Sequence, residues 1–183
     1  MNTTVTSRGD ILRAAKTLAL AQGTAELNMR SLAHACGISV GSIYNYFPTK
    51  SDLMIAVVAE IWQEIFHPSL CQGTADGFLA LVDRFSHSIR TGIAAYPGFF
   101  GSHAMVIDDK AQGREAMERY FHHMELALCQ ALLADPAVRA DVWSEGFPPE
   151  AFAAFVFDFL RTDLLRGRDR SAFLKDLILR AIY

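Results

Sequence analysis

Between Asn28 and Leu53 the chain reads NMRSLAHACGISVGSIYNYFPTKSDL, and few folds can accommodate that order of residues. Asn28 is a good N-cap, and Met29, Leu32, Ala33 and Cys36 behind it recur at helical spacing, so they predict a short helix with one inward face. Gly37 can take the left-handed conformation that ends a helix and turns the chain sharply. Ser39 can then cap a second short helix, in which Ile43 and Phe47, four apart, form the buried edge. Pro48 and the capping box Thr49-x-x-Asp52 start a third. Val40, Gly41, Ser42, Tyr44, Asn45 and Tyr46 are left for other faces. Small residues come first and hydrogen-bonding residues follow, a surface that can enter a DNA major groove and read its base edges.

A helix precedes this pair. Ser7-x-x-Asp10 fits a capping box, Ile11, Leu12, Ala15, Leu18 and Ala19 form its apolar face, and Gly23 is expected to end it. The segment is also the basic part of the chain. Residues 1–52 hold five Lys/Arg (Arg8, Arg13, Lys16, Arg30, Lys50) against three acids (Asp10, Glu26, Asp52), a balance of +2, while the remainder holds twelve against seventeen, or −5. The overall charge of −3 hides that asymmetry, which places any nucleic-acid contact at the N-terminal end.

The same residues resemble the TetR family of bacterial transcriptional regulators. The likeness rests on Arg30 to Ala33, the A-x-x-x-G-I-S turn from Ala33 to Ser39, Ile43-Tyr44, the aromatic pair Tyr46-Phe47, and Pro48-x-Lys50-x-x-Leu53. It covers roughly residues 8 to 60, with Asn28 where the family usually has threonine and Tyr46 where histidine is commonest. It implies an all-α homodimer with an N-terminal three-helix DNA-binding domain at residues 1–52. A fourth helix at about 50–67 would connect to a larger ligand-binding and dimerisation domain at 53–183. It also implies a cytoplasmic regulator, most simply a repressor, on a pseudo-palindromic double-stranded operator.

Each DNA candidate also has a chemical reason. A cation at Lys50, in the first turn of helix 4, opposes the helix dipole; beside exposed N–H groups it is suited to a phosphate, as the matching lysine of the family is. Tyr44 points away from the Ile43–Phe47 edge, leaving its hydroxyl for a phosphate. Gly41 costs about 1 kcal/mol relative to alanine inside a helix, which suggests close approach of the backbone to DNA. Positioning is expected from Asn28, Tyr44, Tyr46 and Lys50, and base reading from Val40, Gly41, Ser42 and Asn45. Arg30 and Ser39 complete the set.

Beyond residue 52 the pattern stays helical. Met54, Val57, Val58, Ile61 and Ile65 mark helix 4, with a break expected near 67–76 at Pro68 and Gly73. Phe78, Leu81, Val82, Phe85 and Ile89 mark another helix, as do Met117, Tyr120, Phe121, Met124 and Leu128. A short piece follows Pro97, and Asp135-Pro136 and Pro148-Pro149 bracket a loop region. Two final helices are expected at about 149–166 and 170–182. Twelve of thirteen phenylalanines lie in this part. On the last two helices, Phe152, Phe155, Phe159, Leu160, Phe173, Leu174, Leu177 and Ile178 are candidates for a four-helix dimer seam, which the resemblance also implies. A dimer has an independent reason: one small reading head covers few base pairs, and a two-fold pair covers two half-sites. The resemblance further implies a small apolar or aromatic effector among the middle helices, with Phe85, Ile89, Phe99, Phe100, His103, Met105, Phe121 and Met124 as candidate lining.

Other chemistries are weakly encoded. Gly37 to Gly41 matches G-x-S-x-G, the nucleophile elbow, but that motif needs a strand before it, and here a helix pattern precedes. An all-α hydrolase using Ser39 is thus the enzyme rival, and a constitutive DNA-binding protein without effector is the binding rival. His122 and His123 diverge by about 100° on a helix, and Asp83 with His87 gives only two groups, so no metal is expected. Three cysteines without C-x-x-C spacing imply no disulfide framework, in keeping with a reducing cytoplasm. No apolar run reaches the length of a membrane span, and the N-terminus lacks the apolar core of a signal peptide.

Overall fold

The computed structural model describes residues 7–22, 27–71, 76–96 and 110–183. Among them the chain is all-helical. The α-helices are α1 (Arg8–Gln22), α2 (Met29–Cys36), α3 (Val40–Tyr46), α4 (Lys50–Cys71), α5 (Phe78–Ala95), α6 (Lys110–Ala134), α7 (Pro149–Leu165) and α8 (Ser171–Ile182). A 3₁₀ turn, Ala140–Val142, and a single antiparallel bridge between Ser144 and Phe147 fill the connection from α6 to α7. Two compact units emerge, Met1–Gln63 with Tyr96–Met117, and Glu64–Ala95 with Glu118–Tyr183.

In the first unit, hydrogen bonds of the predicted kind fix the helix starts. Ser7 Oγ accepts from the Asp10 N–H at 3.1 Å while Asp10 accepts from the Ser7 N–H at 3.1 Å. Thr49 and Asp52 repeat that reciprocal box at 3.0 Å in both directions. Ile11, Leu12, Ala15 and Ala19 of α1 are buried with Leu27, Met29, Leu32, Ala33, Ile43 and Phe47, so α1, α2 and α3 share a small core. Leu18 and Cys36, expected inward, are only half-buried, because they lie at the margins of the two apolar stripes. The Arg8 guanidinium covers the ring of Phe47 at 4.8 Å, sealing that core with a cation–π contact.

α4 differs from expectation at its end. It continues over Pro68 to Cys71, past the expected helix end at about 67 and into the 67–76 window where the break was expected. Proline removes one rung of the helical ladder but does not force an immediate stop, and the helix ends one turn later. Gly23, Gly73 and the piece after Pro97 lie outside the described residues.

The second unit is built on aromatic packing. Phe66 lies 5.1 Å from Phe85 and 5.7 Å from Phe157, ring centre to ring centre, and Phe121 meets Phe157 at 5.7 Å. A second cluster joins Phe78, Trp143, Phe147 and Phe152, with Trp143 stacked on Phe147. α5 packs against α7 and α8, burying Phe78, Leu81, Val82, Phe85 and Ile89 as predicted. In α6, Met124 and Leu128 are buried, whereas Met117, Tyr120 and Phe121 are half-buried.

Carboxylates lock the chain where α7 turns into α8. Asp163, 5% exposed, accepts from the Arg170 side chain at 2.7 Å and from the Arg170 backbone N–H at 3.2 Å. Gly167 supplies the left-handed residue (φ 69°) that this turn requires. Asp169 accepts from the Ser171 hydroxyl at 2.6 Å and from Arg90 at 2.7 Å, which hold its carboxyl down at about 2. The Arg170 fork likewise holds Asp163 below the usual carboxylate range. Burial pushes Asp135 up, yet the Tyr183 hydroxyl at 2.6 Å and the N–H groups of Phe78 and Ala137 outweigh it and leave it lowered. These carboxyls bind a proton more weakly folded than unfolded, so protonation favours the unfolded chain. Stability should therefore be intact above about pH 4 and fall as pH drops towards about 2, the range between the usual carboxylate value and that of Asp169. Urea midpoints measured from pH 5 to pH 2 check this; Asp169→Asn should flatten the slope, and an unchanged slope would remove Asp169 from the account.

Candidate nucleic-acid interface

The turn between α2 and α3 is set by three local interactions. Asn28 Oδ1 accepts from the Ser31 N–H at 2.8 Å and starts α2. Gly37 (φ 67°) ends it, and the Ile38 N–H returns to the Ala33 carbonyl at 3.1 Å. Ser39 Oγ accepts from the Ser42 N–H at 3.0 Å and starts α3. With Ile43 and Phe47 buried beneath it, α3 can present only its opposite side to solvent.

That outer side carries the candidates. Tyr44 is 45% and Tyr46 41% exposed, and Asn45, Gly41 and Ser39 are exposed with them. Val40 and Ser42 are half-buried. The Ser42 hydroxyl is hydrogen-bonded to Ser39 Oγ at 2.8 Å, so α3 holds both serines in its own cap. Asn28 and Arg30 are exposed at the start of α2, and Lys50 is exposed in the first turn of α4. The structure thus brings one polar, partly aromatic face and the exposed cations Arg30 and Lys50 to the same small unit. A helix, α2, and not a strand, precedes Ser39, and the Ser39 hydroxyl caps α3; neither feature suits a nucleophile elbow.

Gly41 is not required by internal packing. A Cβ there would meet only Ser39 Oγ, at an ordinary 3.7 Å. The packing would accept alanine there, which helices prefer.

The two sets expected in the second unit separate. Of the seam residues, Phe155, Phe159, Phe173 and Leu177 keep solvent-facing surface, and Phe155 and Phe159 share a face with ring centres 6.1 Å apart. Phe152, Leu160, Leu174 and Ile178 lie inside the protomer's own core, because α7 and α8 each turn that stripe towards α5. Of the pocket residues, Phe85, Ile89 and Met124 are core, and Phe121 lines an open groove of about 520 Å³ between α6 and α7. Phe99, Phe100, His103 and Met105 lie outside the described residues. Glu118, Glu125 and Arg161, which share that groove with Phe121, escaped notice in the sequence. For the two glutamates the spacing of residues 118, 121, 122 and 125 was the signal; Arg161, on a distant helix, had none.

Among the described residues, no group of three His, Cys, Asp or Glu side chains is arranged to hold a metal ion. No helix there is long and apolar enough to cross a membrane.

Comparison with known proteins agrees with this geometry. Residues 11–57 match the model for bacterial regulatory proteins of the tetR family. No curated protein sequence matches significantly. Among solved structures, the multidrug binding protein EbrR complexed with imidazole superposes with a TM-score of 0.68 at 19% identity, covering 96% of this chain and 94% of that one. RolR in complex with the ligand resorcinol gives 0.64 at 17% identity, covering 96% and 86%. BioQ with its natural double-stranded DNA operator gives 0.58 at 18% identity, covering 96% of each. These likenesses extend the fold over nearly the whole chain, and over residues 11–57 the sequence is similar to the bacterial regulatory proteins of the tetR family.

Proposed function

We infer that the protein binds a pseudo-palindromic operator as a homodimer and represses until a small apolar or aromatic molecule releases it. The observation that carries this reading is the outer face of α3, with Tyr44, Asn45 and Tyr46 exposed above a buried Ile43–Phe47 edge. Such a face enters a major groove, and Lys50 with the first N–H groups of α4 takes a phosphate beside it. The exposed apolar residues Phe155, Phe173 and Leu177, with the half-buried Phe159, support self-association, since apolar surface of this kind marks interfaces. RolR bound to resorcinol and EbrR as a multidrug binding protein support a small-molecule effector.

Release requires the ligand to prefer a body conformation in which the reading heads no longer match the operator. α4 is the natural lever, because one continuous helix runs from Lys50 to Cys71. A coupling of about 1–3 kcal/mol would lower operator affinity by roughly 5–150-fold.

Anisotropy titration with DNA from upstream of the protein's own gene tests the reading directly. Lys50→Ala should weaken operator and random DNA by similar factors and lower the log–log salt slope by about 1 per half-site. Unchanged slope and affinity would show that Lys50 touches no phosphate. Gly41→Ala should separate folding from binding: it should stabilise the fold by up to about 1 kcal/mol, read as a higher melting temperature, and weaken operator binding. A more stable variant with unchanged affinity would mean that the α3 backbone does not approach DNA closely.

A further inference from the structure

We propose that the groove between α6 and α7 is a binding site for a lipophilic organic cation, and that Arg161 is its built-in competitor. At about 520 Å³ the groove lies within the range of small-molecule sites, about 300–1,000 Å³. Phe121 supplies an aromatic wall, backed by the fully buried Phe157 at 5.7 Å. Its charged lining is Glu118, Glu125 and Asp158 against Arg119 and Arg161, with His122 at 3.5 Å from Glu125, an excess of carboxylate when the imidazole is counted neutral. An anion is therefore disfavoured and a cation favoured.

The protein already demonstrates the contact. The Arg161 guanidinium lies over the Phe121 ring, 4.7 Å from its centre, and is ion-paired to Asp158 one turn earlier on α7. The negative face of an aromatic ring attracts any cation so placed. Arg161 holds that seat imperfectly: its Nε–H is buried and has no hydrogen-bond partner. Leaving the ring would return this donor to water, so a ligand cation displaces a resident that is itself under-satisfied. The vacated seat keeps Asp158 beside the ring, with Glu118 and Glu125 on the α6 wall. An apolar body on the incoming cation adds contact with Phe121 that a guanidinium lacks. The assignment rests on the ligand-responsive reading above only for its effect at the operator.

Tetraphenylphosphonium and the isosteric anion tetraphenylborate are the probes, titrated calorimetrically without DNA. Phosphonium should bind, and borate should bind at least about tenfold more weakly. Glu118→Gln with Glu125→Gln should weaken phosphonium binding by about tenfold, and Phe121→Leu by about threefold or more. Arg161→Gln should act in the opposite sense and tighten it by about threefold or more, since it removes the competitor and its charge. Circular dichroism melts confirm that each variant is folded. Equal binding of the two probes, or weaker phosphonium binding by a folded Arg161→Gln variant, would overturn the assignment. An operator titration with phosphonium then separates the two claims: binding without loss of operator affinity upholds the site and refutes ligand release through it.

Discussion

Phe173→Asp should give a folded monomer that holds its operator about a hundredfold or more weakly than the wild type. Phe173 is 59% exposed, so the substitution removes nothing from the protomer core. If α7 and α8 meet a second copy, the new carboxylate must be buried unpaired in that seam, which a marginal interface cannot absorb. Phe155→Asp, at a 47% exposed position, should behave the same way. Phe159 is a less clean probe, because Arg170 covers its ring at 5.0 Å and also pairs with Asp163. The loss at the operator follows from linkage: a dimer's second reading head binds at high effective concentration, and a monomer forfeits that gain of about 10²–10⁴. Light scattering gives the mass, and anisotropy the affinity. A stable dimer at micromolar concentration would place the interface elsewhere. Phe152→Asp serves as the contrast, since Phe152 is buried among Phe78, Trp143 and Phe147 and its replacement should unfold the second unit.

Gly92→Ala should destabilise the protein by up to about 2 kcal/mol, although alanine is the better helix former. A Cβ at Gly92 would come within 2.5 Å of both Cδ1 and Cγ1 of Ile65, closer than real carbon contacts allow. Overpacking of this kind costs about 1–3 kcal/mol, against a gain of about 1 kcal/mol in helix propensity. Gly92→Val, with two further methyls and no space for them, should cost roughly 3 kcal/mol or more. The sign is the sharp part. Ile65→Ala alone should cost about 2–5 kcal/mol. In that background, however, Gly92→Ala should become neutral or stabilising. Denaturant unfolding of the four proteins closes the cycle; strict additivity would show that Ile65 is not what holds residue 92 to glycine.

The reading head was legible because its determinants are local. Asn28, Gly37, Ser39 and the two capping boxes act on atoms three or four residues away, so their spacing in the sequence is already their geometry. Periodicity located the buried edge at Ile43 and Phe47, and with it the exposure of Tyr44 and Tyr46, because a helix with one side covered has only the other to offer. Helix 4 was placed at its start and ends a few residues past the expected bound of about 67. A capping box fixes a first turn, whereas a proline only weakens a ladder whose continuation depends on what the helix packs against.

The second unit shows what sequence alone leaves open. An apolar stripe on α7 or α8 reads alike whether it faces α5 or another molecule, since both surfaces reward the same residues. Only the packing sent Phe152, Leu160, Leu174 and Ile178 inward and left Phe155, Phe159, Phe173 and Leu177 outside. The groove at Phe121 joins α6 to a helix more than thirty residues later, and its character depends on where Arg161 rests. Nothing within α5 itself requires glycine at position 92; Ile65 against it does. Capping and periodicity are interactions within a turn or two, and the chain specifies them directly. Which faces are covered, and which close approach forbids a side chain, are decided between helices distant in sequence, where only the assembled fold brings the atoms together.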